Sequence, residues 1–254
     1  MKMKGKLKTV ELFAGTQSFS KVARELGHET FCVDNNDKFE NDMTLDLLEG
    51  IPIKLLNKIK EADIIWMSPP CTTFSMAAGN THWNADKTPK TQKAIDGKKL
   101  LDICLVIAKI CIQKGKLFFI ENPRARARWF LPVDIRKTAW YCKYGSMNAK
   151  PTDIWTNLDW TPKTCHNFLK NQPKHCHHES APRGSKTGTQ GLKGNMERSV
   201  IPSQLFYEIF DRISATKFTP KNSIIEMMNY LNAKVQLIEL IINSQQNKEV
   251  EKDE

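Results

Sequence analysis

Two side chains capable of bond-making and proton transfer each stand just past a short apolar run. Cys71 follows Ile64-Ile65-Trp66-Met67 and then Ser68-Pro69-Pro70, while Glu121 follows Leu117-Phe118-Phe119-Ile120 and precedes Asn122-Pro123. A four-residue apolar run bounded in this way reads as a buried strand. Pro-Pro cannot continue a ladder, so the chain must turn and lift Cys71 above a sheet edge. A thiol presented there is a candidate nucleophile, and a carboxylate at a similar edge is a candidate proton partner. Behind Glu121, Arg124, Arg126 and Arg128 alternate. If that stretch is extended they point one way, which suits a row of phosphates; a solvated charge run is the other reading.

The elements that must hold these groups can be read in order. Lys8 to Phe13 reads as a first strand, followed by Ala14-Gly15 and a helical pattern (Phe19, Val22, Ala23, Leu26) ending at Gly27. Strand, glycine turn and helix place backbone amides where the polar end of a cofactor can sit. A single glycine is not a dinucleotide fingerprint. Glu29 to Val33 is a second strand, and Asp34 at its end is a candidate for a ribose hydroxyl pair. Asp46 is a third candidate on this side. Ile53 to Ile59 forms a short helix, Gln92 to Lys114 a long one with Cys104 and Cys111 on its core face, and Thr138 to Tyr144 and Ile154 to Thr156 two late strands. The polar stretch from Gly79 to Pro89, with His82 and Trp83, is either a loop closing over a substrate or an ordinary solvated connection.

Between Asp159 and Asn195 periodicity disappears. Cys165, His166, His175, Cys176, His177 and His178 lie there, the right ligand types for zinc at no standard finger spacing. A polar recognition loop is the favoured reading, and no metal is expected. Periodicity returns at Ile201 to Ile213. Ile224, Met228, Leu231, Val235, Ile238 and Ile242 then follow a heptad that could pair two chains or dock on its own domain. These changes divide the chain into a catalytic unit (1–158), a recognition segment (159–197), a return (198–221) and a helical tail (222–254).

Composition narrows the partners. The 254 residues carry a net charge of +10, which favours a polyanion such as nucleic acid. Only eight of the 38 basic residues are arginine, so lysine-rich solubility accounts for part of the excess. No apolar run is long enough for a membrane span, and no signal peptide is evident. Seven cysteines at irregular spacings argue for a reducing, cytoplasmic setting in which Cys71 stays a free thiol.

Taken together, these motifs resemble the cytosine-5 DNA methyltransferases. Glu11-Leu12-Phe13-Ala14-Gly15 resembles that family's cofactor loop, with Glu for the usual Asp. Ser68-Pro69-Pro70-Cys71 with Phe74-Ser75 resembles its nucleophile motif, and Glu121-Asn122-Pro123 its Glu-Asn-Val. Arg198-Ser199-Val200-Ile201-Pro202 resembles the segment that returns to the cofactor. Lys150-Pro151-Thr152-Asp153 and Ala181-Pro182-Arg183-Gly184-Ser185 look most like the compact members encoded by bacteriophages. The resemblance implies a doubly wound, Rossmann-like α/β sheet and S-adenosylmethionine as methyl donor. It implies Phe13, Ala14, Gly15, Asp34, Asp46, Pro69 and Ser199 around that donor, with Phe13 on its adenine. Ser75, Arg124, Arg126, Arg128, Lys150 and Arg183 would face nucleic acid. The family's usual Arg-x-Arg pair is missing, and Lys150 with one of the three alternating arginines stands in for it.

The resemblance further implies that Cys71 adds to a cytosine flipped out of double-stranded DNA, as in restriction–modification, with Glu121 at ring nitrogen 3. Three other outcomes stay open on the residues alone. These are an RNA cytosine methyltransferase, an amino-methyltransferase, and a degenerate homologue that binds nucleic acid without methylating it.

Overall fold

The computed structural model describes residues 5–146, 148–165 and 194–215. Arg183, the histidines of the Cys/His segment, Cys176 and the heptad tail lie outside them.

Seven strands form one sheet: β1 (Lys8–Leu12), β2 (Glu29–Asp34), β3 (Met43–Thr44), β4 (Ile64–Met67), β5 (Leu117–Pro123), β6 (Arg136–Trp140) and β7 (Pro151–Thr156). Their spatial order is β3-β2-β1-β4-β5-β7-β6. β7 alone runs against its neighbours, antiparallel to both β5 and β6. Helices α1 (Ser18–Glu25) and α5 (Ser203–Ala215) lie on one face, and α2 (Ile53–Glu61) and α3 (Gln92–Gln113) on the other. A short helix, α4 (Gly194–Ser199), precedes α5. This is the doubly wound α/β sheet expected from the motifs.

Strand alternation builds both cores from the same residues. Val10, Leu12, Ile65, Met67, Phe118 and Ile120 face α2 and α3, whereas Ile64, Trp66, Leu117 and Phe119 face α1 and α5. On that second face Phe19 stacks on Trp66 at 5.6 Å and Trp66 on Phe119 at 5.4 Å. Each such pair adds about 1 kcal/mol beyond its burial, and together they clamp α1 to the middle of the sheet. Cys104 and Cys111 are core residues of α3.

Two elements depart from their sequence pattern. β5 does not stop at Ile120 but continues through Glu121, Asn122 and Pro123, paired with Ile154, Asp153 and Thr152 of β7. The polar residues stay in the ladder because a distant strand supplies their backbone partners. β6, conversely, ends at Trp140, and Tyr141–Tyr144 tighten into a 3-10 turn closed by Gly145 at φ 87°.

The stretch from Gly79 to Pro89 is not an open lid. Trp83 is only 2% exposed. Its Nε1 donates to the Thr73 carbonyl at 2.8 Å, and its ring packs on Phe74 and Phe130.

Candidate active site

Strand order reverses between β1 and β4, and the crevice beyond their carboxyl ends is where open α/β sheets bind ligands. The Ser68 amide donates to the Leu12 carbonyl at 3.2 Å, so the two ends leave the sheet side by side. Phe13-Ala14-Gly15 therefore opens one wall and Ser68-Pro69-Pro70-Cys71 the other.

On the β1 wall the turn is tightly wound. Phe13, Gly15 and Gln17 all have positive φ, at 57°, 44° and 55°. That conformation costs an aromatic residue about 1–2 kcal/mol, so the surroundings must enforce it. Asp34 does part of this: one carboxylate oxygen accepts from the Gly15 amide at 2.8 Å and the other from Asn36 at 2.9 Å. Beyond Gly15 the space is open, since an added Cβ would meet nothing within 4 Å. Asp46 caps the next 3-10 turn by accepting from the Leu48 amide at 2.9 Å. Phe13, Leu45 and Leu48 pack as half-buried apolar groups against the core. An apolar shelf flanked by two carboxylates suits an adenosine: a ring to bury, and hydroxyl and amino hydrogens to accept.

The amides at the start of α1 are not available to a ligand, contrary to what the turn alone suggests. Glu11, 3% exposed, takes the Ser20 amide at 2.8 Å and the Phe19 amide at 3.3 Å. A pyrophosphate site would leave such amides open. A phosphate-free cofactor fits this wall and a dinucleotide does not. Burial pushes the Glu11 carboxyl up to about 7, against the pull of those amides, the Ser20 hydroxyl and Arg24. The return segment meets the wall at Ile201, whose amide donates to the Ser18 hydroxyl at 3.2 Å. Ser199 itself is exposed, and its hydroxyl donates to the Met196 carbonyl at 2.7 Å. It is Ser18 and Ile201, rather than Ser199, that tie the two segments together.

On the opposite wall Cys71 is exposed, and its carbonyl accepts from the Phe74 and Ser75 amides at 3.0 and 2.9 Å. The residue is open to solvent, but protein crowds its inner side. That desolvation, and then the neighbouring Glu121, push the thiol up; Lys150 and Arg198 pull it back. Pro69 is held from below by Asn122, fully buried, whose Nδ2 donates to the Pro69 carbonyl at 3.0 Å. Gly97 of α3 lets the Cys71 turn approach. A Cβ there would lie 2.9 Å from the Thr73 hydroxyl and 3.2 Å from the Phe74 ring.

Glu121 lies 7% exposed on the same wall. The Tyr141 hydroxyl donates to its Oε1 at 3.1 Å, and the Ser68 hydroxyl is a second hydrogen-bond partner. Burial raises the Glu121 carboxyl, and Lys150 is the largest opposing influence. The Lys150 ammonium sits 5.0 Å over the Tyr141 ring and donates to the Arg198 carbonyl at 2.6 Å. The thiol, the carboxyl and this ammonium thus share one pocket wall, with mutual electrostatic coupling. Tyr141 was not legible as a site residue, because Trp140 to Tyr144 read as an ordinary strand.

The alternating arginines do not form a row. Residues Arg126–Trp129 are a 3-10 turn, not an extended strand. Arg128 is turned inward, giving Nε and Nη2 to the two oxygens of fully buried Asp153 at 2.5 and 2.7 Å. Arg126 is a brace for the Cys71 turn. Its amide donates to the Phe74 carbonyl, its Nη1 to the Ser75 carbonyl at 2.9 Å, and its guanidinium rests on Trp129. Ser75 therefore contributes its backbone to this brace. Arg124 is exposed and is the one of the three whose side chain faces outward. Among the described residues no cluster of three or more metal-ligating side chains occurs, and no helix is long and apolar enough to cross a membrane.

No family model matches the chain. A probable DNA (cytosine-5)-methyltransferase of Frog virus 3 (isolate Goorha) is 30% identical over 164 residues, covering 63% of this chain and 75% of the viral protein. The chain belongs to the cytosine-5 methyltransferase family. Among solved structures, the S. pombe Dnmt2 methyltransferase aligns at a TM-score of 0.38 with 11% identity, over 60% of this chain and 49% of that one. A SAM-dependent methyltransferase from Agrobacterium tumefaciens aligns at 0.30 with 17% identity, over 60% of this chain and 56% of its own. The chain thus spans about half the length of each solved structure.

Proposed function

We propose that this protein transfers a methyl group from S-adenosylmethionine to carbon 5 of a cytosine in double-stranded DNA, through a transient bond from Cys71. The observation that carries the reading is a solvent-open thiol at the strand-order reversal, beside a buried carboxyl whose hold on its proton is strengthened by burial.

Cytosine carbon 5 is a poor nucleophile until something adds to carbon 6. The Cys71 thiolate forms that bond. Electron density moves onto ring nitrogen 3, where Glu121 supplies a proton, and carbon 5 becomes an enamine carbon. S-adenosylmethionine, when bound, would supply an electrophilic methyl group for that carbon, its sulfonium sulfur keeping the electron pair of the broken bond as the neutral thioether. A base then removes the carbon-5 proton, the carbon–sulfur bond to Cys71 breaks with its electron pair leaving on the thiolate, and the nitrogen-3 proton returns to Glu121. Lys150 and Arg198 favour the thiolate, which burial and Glu121 oppose. Phe13, Asp34 and Asp46 would hold the adenosine. The target must leave the duplex to reach the crevice, and Arg124 and the net charge of +10 serve the DNA backbone.

Bisulfite sequencing of DNA from cells expressing the protein should reveal methylated cytosines in a fixed sequence context. Cys71→Ser should abolish them, a loss of about 10⁴-fold or more. A 5-fluorocytosine oligonucleotide should trap a covalent adduct with the wild-type protein only. Methylation of RNA but not DNA of equal sequence would replace the substrate. Full activity in Cys71→Ser would remove the nucleophile.

A further inference from the structure

We propose that Tyr141 is a positioning residue with two separable jobs: its hydroxyl fixes which oxygen of Glu121 carries the acidic proton, and its ring seats the Lys150 ammonium beside Cys71. The inference rests on the methyltransferase reading above for its catalytic consequence, though not for its geometry.

Tyr141 is fully buried, yet it stands in a 3-10 turn at the end of an edge strand. A buried tyrosine needs a partner for its hydroxyl. It has one in Glu121 Oε1, at 3.1 Å, and the Thr152 hydroxyl is a second hydrogen-bond partner. Ser68 stands beside the same carboxyl, and its oxygen already accepts the Trp66 indole N–H at 2.8 Å. That leaves the Ser68 hydrogen free to point at Glu121. Two O–H donors thus converge on one carboxyl group. Tyr141 donating to Oε1 disfavours a proton on that oxygen and so biases the proton of the neutral acid toward Oε2. A carboxylic acid that must hand its proton to a ring nitrogen gains from having that proton on a single defined oxygen.

The ring does the second job. Lys150 has φ 22° and places its Nζ 5.0 Å over the Tyr141 centroid while donating to the Arg198 carbonyl. A cation held over an aromatic face is attracted by the ring quadrupole. The ring thus becomes the seat of an ammonium that favours the charged forms of both Cys71 and Glu121. Among the described residues, the charged and titratable groups around Glu121 are Lys150 ahead of β7, Asp153 within β7, Tyr141 after β6 and Cys71 after β4.

Two variants separate the jobs. Tyr141→Phe keeps the ring and removes the donor; Tyr141→Leu removes both. The protonated carboxyl band of Glu121 can be followed by infrared difference titration and assigned with Glu121→Gln. In Tyr141→Phe that band should persist to about one pH unit higher than in the wild type, because a donor to the carboxylate is gone. The methylation rate should fall about tenfold at unchanged melting temperature. Alkylation of Cys71 by iodoacetamide should be unchanged in Tyr141→Phe and slowed in Tyr141→Leu. An unmoved Glu121 band in Tyr141→Phe, or equal alkylation in all three proteins, overturns the respective assignment. If the wild type methylates no cytosine while the band still moves, the methyltransferase reading fails and the positioning role stands.

Discussion

Glu11 and Glu121 are two buried carboxyl groups on the same sheet, one at the strand-order reversal and one two strands away, and they differ in whether backbone amides join the hydroxyls that hold them. Glu11 is held by the Ser20 hydroxyl together with two backbone amides of α1. Glu121 is held by the hydroxyls of Tyr141 and Ser68. An amide N–H can only donate, so it favours a carboxylate over a carboxylic acid, whose hydrogen it cannot accept. A hydroxyl can donate or accept, so it tolerates either form. The first arrangement ties a helix to a strand. The second leaves a group that can change its protonation without losing its partners. The difference teaches that burial alone does not mark a catalytic acid; the identity of its donors does.

The most damaging test of that contrast is Glu121→Gln. The amide keeps the shape and the Tyr141 contact but has no acidic proton to give. The methylation rate should fall about 10²- to 10⁴-fold, while the melting temperature stays the same or rises. A rate within a few-fold of wild type would mean that the hydroxyl-held carboxyl is only structural.

A third buried carboxylate sharpens the comparison. Asp153 is fully buried and is met by a permanent cation, Arg128, together with the Thr138 hydroxyl at 2.7 Å. Arg128→Ala leaves that charge unpaired, and should destabilise the protein by about 3 kcal/mol or more. The melting temperature would drop by roughly 6–12 °C. Arg124→Ala should leave the melting temperature alone and instead lower the slope of log affinity for DNA against log salt by about 0.9. A reversed pattern would restore Arg128 as a phosphate contact.

Much of this architecture was legible in the chain. The β4 run Ile64 to Met67, the turn at Pro69-Pro70 and the exposure of Cys71 follow from local pattern and proline chemistry. So does the placement of Asp34 at the end of β2. What escaped was what distant strands decide. The extension of β5 through Glu121 exists because β7 pairs with it across the sheet, and β7 is read more than thirty residues later. The arginine spacing at Arg124, Arg126 and Arg128 points one way only in an extended chain, and the 3-10 turn at Arg126–Trp129 rotates two of the three onto protein partners. Trp83 looked like part of a mobile loop because its polar neighbours hide the aromatic cluster of Phe74 and Phe130 that receives it.

The gentlest test concerns Glu11 and is read in stability rather than rate. Its folded-state carboxyl sits at about 7 against an ordinary value of 4.5. Between those pH values the native state holds a proton that the unfolded chain has released. Stability from this group is therefore full below about 4.5 and is lost as the pH rises through about 7. Converting that interval at about 1.4 kcal/mol per unit gives a loss of up to about 3 kcal/mol by pH 8. Glu11→Gln cannot titrate, so its melting temperature should fall less than that of the wild type between pH 5 and pH 8. At pH 5 the variant should already be the less stable of the two, because one side-chain oxygen cannot serve both α1 amides as a carboxyl does, and an orphaned buried amide costs about 1–3 kcal/mol. Melting curves at the two pH values decide it: parallel slopes for the two proteins would mean that Glu11 stays ionised throughout, and that its amide partners outweigh its burial.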